Sequence, residues 1–136
     1  MNQQTKDLVE VRFSAHVDSH YICGTWLPGL YYGNDWFKEI YKHAYFDKYI
    51  KVIKAILVLP GVYVNAVCLK EDMDVVLSYA VIGDDDETLH WVYTKPSWRK
   101  LGLAKAIIPD TIYKITHMTK IGRSIKSEEW IFDPFL

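Results

Sequence analysis

Only two of the 136 residues are cysteines, Cys23 and Cys68, and neither has a second Cys or a paired His at ligand spacing beside it. A disulfide framework and a structural zinc site are excluded, and both thiols read as reduced side chains of a cytosolic protein. Seven glycines and five prolines are too few for a collagen-like, low-complexity or disordered chain. No long apolar run is present: Ala55 to Leu59 stops at Pro60-Gly61, far short of the roughly 20 residues that span a bilayer. The opening Met1 to Asp7 lacks the basic start and apolar core of a secretory signal, so the expectation is a cytoplasmic protein with no membrane partner. Charge of one sign is missing too. Sixteen basic against seventeen acidic side chains leave a net charge of −1, which disfavours a nucleic-acid coat.

What remains is an apolar and aromatic chain, 50% and 15% respectively, of the length of one domain spanning 1–136. Leu8, Val9, Val11 and Phe13 predict a short first strand. Val17 to Trp26 predicts a helix capped by Asp18 or Ser19 and stopped by Pro28-Gly29. From Asn34 or Asp35 to Pro60, apolar residues recur every three or four positions, and Lys38, Lys42, Lys48, Lys51 and Lys54 fall between them, as on an amphipathic helix with a wet basic side.

Three strands follow, Val62 to Cys68, Val75 to Ile82 and Thr88 to Thr94, joined by polar turns into an antiparallel meander. The acidic turn Gly83-Asp84-Asp85-Asp86 reads as a solvated hairpin tip rather than a metal site. Leu101 to Ile108 predicts a short helix ended or kinked by Pro109, Thr111 to Met118 another strand, and Glu128 to Leu136 an ordered, aromatic closing segment.

Chemistry concentrates in Trp91 to Ala104. A strand ends at Lys95-Pro96, a tight loop follows, and a helix begins near Gly102, so unpaired backbone N–H groups converge in one concavity suited to an anion. Arg99 can add a charge-assisted contact, and Gly102 and Ala104 leave room for a phosphate to approach.

Arg99, Gly102 and Ala104, preceded by Tyr93-Thr94-Lys95-Pro96, resemble the signature of the GNAT superfamily of N-acetyltransferases. Gly24-Thr25-Trp26-Leu27, Leu89-His90-Trp91-Val92-Tyr93 and Phe132-Asp133-Pro134-Phe135 are similar to small acetyltransferase-like proteins encoded by bacteriophages, which implies a host-cell cytoplasm. The resemblance implies an α+β fold with a mixed, mostly antiparallel central sheet, helices on both faces and a splayed cofactor cleft. It also implies acetyl-CoA (coenzyme A) as cofactor, with the backbone of Tyr93 and Thr94 pairing with the pantetheine arm. Arg99, Lys100, Leu101, Gly102, Leu103 and Ala104 would hold the pyrophosphate.

Acetyl transfer to an amine needs a group to take the amine's proton and benefits from an acid for the departing thiolate. The family's usual glutamate and tyrosine are not in register here. Glu87 and His90 are the candidate bases, His90 preferred, and His117 the candidate acid. Trp26, Tyr31, Tyr32 and Trp36 surround a Pro28, Gly29 and Gly33 connection that is expected to project; the resemblance implies that this region lines the acceptor site, where the aromatics either stack on a planar substrate or, the favoured reading, pack the helices onto the sheet. The acceptor is a small-molecule or protein amine. Lys114, Lys120, Arg123 and Lys126 leave open a second reading, DNA base modification as in the Mom proteins that share this fold, and a homodimer is left open as well. A third reading is a catalytically silent CoA-binding or interaction scaffold.

Overall fold

The computed structural model describes residues 1–35, 39–83, 85–117 and 130–133. In chain order the elements are α1 (Gln3–Leu8), β1 (Val9–Arg12), α2 (Ser19–Tyr32), α3 (Lys42–Leu57), β2 (Tyr63–Leu69), β3 (Val76–Ile82), β4 (Thr88–Thr94), a 3₁₀ turn (Pro96–Trp98), α4 (Leu103–Ile107), β5 (Lys114–Ile115) and β6 (Ile131–Phe132). The strands lie in one sheet in sequence order. β1 to β4 are antiparallel, with short turns joining β2, β3 and β4 while the chain reaches β2 from β1 by way of α2 and α3; β5 runs parallel to β4 after the α4 crossover and β6 runs parallel to β5. The α+β architecture, with helices on both faces, is the one the resemblance implied.

β2 to β4 are buried on both faces. Ala66, Cys68, Tyr79, Val81 and Trp91 face α2 and α3, while Val67, Leu77, Ala80, Ile82 and Leu89 face α4. Leu89 and Trp91 share a parity yet lie on opposite faces. The register explains it: Trp91 pairs with Val81 but Leu89 pairs with Ile82, which leaves His90 as the extra residue of a β-bulge. The start of β4 is tied by Asp85, whose carboxylate accepts from the Glu87 and Thr88 amides and from Lys114.

Several expectations are corrected. The N-terminal residues form α1 before the first strand, which starts at Val9 and excludes Leu8 and Phe13. The helix capped by Asp18 does not stop at Pro28-Gly29 but runs to Tyr32, with Pro28 inside. An internal proline costs about 3 kcal/mol, but the last turns bury Leu27, Leu30 and Tyr31, and three such burials outweigh it. The helix expected from Asn34 or Asp35 to Pro60 is not continuous: Asp35 is helical and 36–38 lie outside the described residues, while α3 begins at Lys42 after Tyr41, with no side-chain cap, and ends at Leu57. The strand expected over Thr111 to Met118 shrinks to Lys114–Ile115, with Met118 outside the described residues. The helix after the loop is short, as Pro109 required.

Candidate functional site

β4 and β5 are paired through Thr88↔Lys114 and Leu89↔Ile115, and the Thr116 N–H closes the ladder on the Leu89 carbonyl at 3.1 Å. The described β4–β5 pairing ends there, and residues 118–129 lie outside the described residues. A cleft of about 940 Å³ opens along the free side of Trp91 to Thr94, within the size range of sites for drug-sized ligands. Its far end is the Trp98 to Lys105 loop and the first turn of α4, and its inner end reaches Gly29 and Gly33 on α2. Trp130 and Ile112 complete the apolar wall.

Backbone register decides which groups of β4 reach this space. Lys95 N–H donates to the Leu77 carbonyl at 2.8 Å, so Leu77 and Lys95 form a hydrogen-bonded pair. Antiparallel alternation then makes Tyr79 and Tyr93 the next such pair, and turns the amides of Val92 and Thr94 away from β3 toward the cleft. The pairing edge is therefore Val92 and Thr94, rather than the expected Tyr93 and Thr94. The Tyr93 carbonyl faces inward, where it also accepts from Ser78 Oγ at 2.9 Å.

The loop is built around two residues with positive φ, Lys100 at 64° and Gly102 at 85°. At Gly102 the conformation favours glycine, and a Cβ there would stand 3.2 Å from the Met1 backbone nitrogen, which would have to shift slightly. The first intrahelical bond runs from Ala106 N–H to the Gly102 carbonyl, which leaves the amides of Leu103, Ala104 and Lys105 without an intrahelical acceptor. Lys100 and Gly102 line the same end of the cleft, so together these residues present a row of backbone amides there. α4 has only five residues, so its dipole adds little at this end of the cleft. Arg99, Lys100 and Lys105 line this end against one carboxylate, Asp110. Arg99 is braced: its Nε donates to the Thr94 carbonyl at 3.0 Å.

The side chains expected to move protons do not line the described cleft. Glu87 lies beside the hairpin tip, half exposed and 3.9 Å from Lys114. His90 is 5% exposed, and its Nδ1 lies 3.1 Å from Thr116 Oγ1. His117 is wedged between α2 and α3, its Nε2 2.6 Å from the Tyr49 hydroxyl and its ring edge-on to Trp26. Burial lowers the His117 pKa to about 4, so this imidazole is neutral at ordinary pH.

The expected aromatic surface loop is replaced by helix. Trp26 and Tyr31 are buried in the core, Trp26 stacking on Trp91 with ring centres 5.3 Å apart. Tyr32 is exposed and bonded to Lys42, and Trp36 lies outside the described residues. From this region Gly29 and Gly33 reach the cleft instead. A Cβ at Gly29 would meet the Trp91 ring at 3.0 Å, a close approach that the Pro-Gly sequence signals only as a turn. Lys114 is engaged by Asp85 and Glu87, while Lys120, Arg123 and Lys126 lie outside the described residues. Among the described residues no helix is long and apolar enough to cross a membrane.

No protein-family model matches the chain, and no curated protein does. Among solved structures it is similar to a possible acetyltransferase from Clostridium difficile 630, with 18% identity and a TM-score of 0.46. The match covers 70% of this chain and 62% of that protein, so this chain spans less than two thirds of the other's length.

Proposed function

We propose that the chain is an N-acyltransferase that binds acetyl-CoA in the cleft between β4 and α4 and passes its acetyl group to an amine. The observation that carries this reading is the continuity of one cleft, from the amide row at Lys100 to Lys105 along Val92 and Thr94 to Gly29 and Gly33. The residues fit such a cofactor: a donor row and three cations suit the pyrophosphate, and two outward-facing peptide units suit an amide-bearing arm. Bound there, the thioester supplies an electrophilic carbonyl and a thiolate leaving group. The chain's own work is then positioning. Trp91, Val92 and Ile112 exclude water along the arm, and the inner end orients the amine. Since His90, Glu87 and His117 stand away from the described cleft, the amine's proton leaves through water rather than directly to one of them.

The experiment is mass spectrometry of the purified protein for retained CoA, followed by thermal shift with acetyl-CoA and an amine panel that includes duplex DNA. A ligand held by the native state alone raises the melting temperature. Gly102→Glu is expected to abolish that rise, while Gly102→Ala, which shares the backbone strain but adds no charge, keeps most of it. Arg99→Ala is expected to weaken CoA by about tenfold, the value of one charge-assisted bond. Equal affinity would leave Arg99 as a brace for Thr94 alone. The placement of the titratable candidates supports a second reading, a CoA-binding scaffold without turnover, for which retained CoA with no product from any amine is the expected outcome.

A further inference from the structure

Next to Trp91, where the described β4–β5 pairing ends, the wall of the cleft is fastened by a chain of buried polar groups. The bulge takes His90 out of the β3–β4 register, so its carbonyl needs a partner other than a ladder amide. His117 Nδ1 lies 3.0 Å from that carbonyl and 2.8 Å from Thr116 Oγ1, while His90 Nδ1 lies 3.1 Å from the same hydroxyl. The Thr116 hydroxyl also reaches that carbonyl, at a longer 3.4 Å, and a carbonyl can only accept, so the 3.0 Å contact is a hydrogen bond when the proton of a neutral His117 sits on Nδ1. Its Nε2 is then an acceptor, and the Tyr49 hydroxyl 2.6 Å away on α3 donates to it. Burial favours this arrangement twice, holding His117 neutral and pushing the Tyr49 hydroxyl up to about 12, so that it keeps its proton. Trp26 closes the chain from α2, edge-on to His117 at 5.2 Å and stacked on Trp91, which lines the cleft.

We propose that His117, protonated at Nδ1 and accepting from Tyr49 at Nε2, is a positioning residue that pins the carbonyl of the His90 bulge to the end of β5 and so holds the β4 wall of the cofactor cleft in place. The role in binding rests on the acetyl-CoA reading above; the pin itself does not. Two substitutions separate it from packing. Asparagine places an amide N–H where Nδ1 stands, and glutamine places one where Nε2 stands, though glutamine is nearer to histidine in volume.

His117→Asn is therefore expected to keep CoA affinity within about threefold, and His117→Gln to lose about tenfold, the value of one buried hydrogen bond. A side chain that merely fills space gives the reverse order, which would overturn the proposal. A ligand-free measurement runs alongside. Hydrogen exchange of the Thr116 amide, which closes the ladder on Leu89, should quicken about tenfold in His117→Gln and little in His117→Asn. The nitrogen-15 spectrum of the wild-type protein should show His117 protonated at Nδ1. If the wild type binds no CoA while both ligand-free results hold, the cofactor reading falls and the pin stands. Protonation at Nε2, or equal exchange in the two variants, overturns the pin whatever the cofactor result.

Discussion

Trp26, Tyr31, Tyr45, Tyr79 and Trp91 fill the sheet face beneath α2 and α3, whereas Val67, Leu77, Ala80, Ile82, Leu89, Leu103 and Ile107 fill the face against α4. The first set brings hydroxyls that must find directed partners: Tyr45 donates to the Leu27 carbonyl at 2.8 Å, and the Tyr79 hydroxyl hydrogen-bonds with that of Thr25 at 2.7 Å. The second set brings volume alone. Aliphatic side chains can repack at modest cost, while a ring with a bonded hydroxyl fixes both distance and direction. Geometry is therefore set on the aromatic face, and the aliphatic face holds α4 and its loop in place. The cleft opens on β4 where the two meet.

The largest expected effect comes from cutting one residue from each face. Trp26→Ala should destabilise the protein by about 3–5 kcal/mol and also abolish CoA binding, because Trp26 is fully buried and supports both Trp91 and His117. Leu77→Ala should cost about 2–5 kcal/mol and leave CoA affinity nearly unchanged. Urea unfolding with calorimetric titration measures both. Equal loss of affinity in the two variants would dissolve the distinction between the faces.

Next in size is a pH effect confined to the aromatic face. His117 titrates near 4 when folded, well below its ordinary 6.5. Between those values the unfolded chain carries a proton that the folded one does not, so stability rises with pH across this window. It is fully present above about 6.5 and lost as pH falls toward 4. The loss amounts to about 3 kcal/mol at most. Urea midpoints of wild type and His117→Asn between pH 7 and 4 test it, the variant lacking this slope.

The smallest effect is Tyr79→Phe, which removes bonds to Thr25 and to the Ile22 carbonyl but keeps the ring. About 1 kcal/mol is expected, with a small loss of CoA affinity through the neighbouring Tyr93 ring. A variant as stable as wild type would show that shape, and not bonding, orders this face.

Much of this was legible in the sequence. Alternating β-branched and aromatic residues marked β2, β3 and β4, Asp18 marked the start of α2, and Arg99, Gly102 and Ala104 marked the loop. Those signals are local, arising from side-chain period, caps and the φ that Gly102 adopts. The misreadings share a cause as well. Pro28-Gly29 looks like a turn because intrinsic propensity favours one, and tertiary burial of Leu30 and Tyr31 decided otherwise.

By itself, then, the sequence determined the meander, the short helix before Pro109 and the place of the tight loop between β4 and α4, because each follows from neighbours a few positions apart, while the α+β class came with the resemblance that Arg99, Gly102 and Ala104 carry. Tertiary structure alone decided that His90 sits in a bulge, which sends Leu89 and Trp91 to opposite faces and turns Val92 and Thr94 toward the cleft. It also decided that His117 meets Tyr49. A register slip of one residue has no sequence period, and contacts between residues 68 positions apart are set by packing once the whole chain has closed.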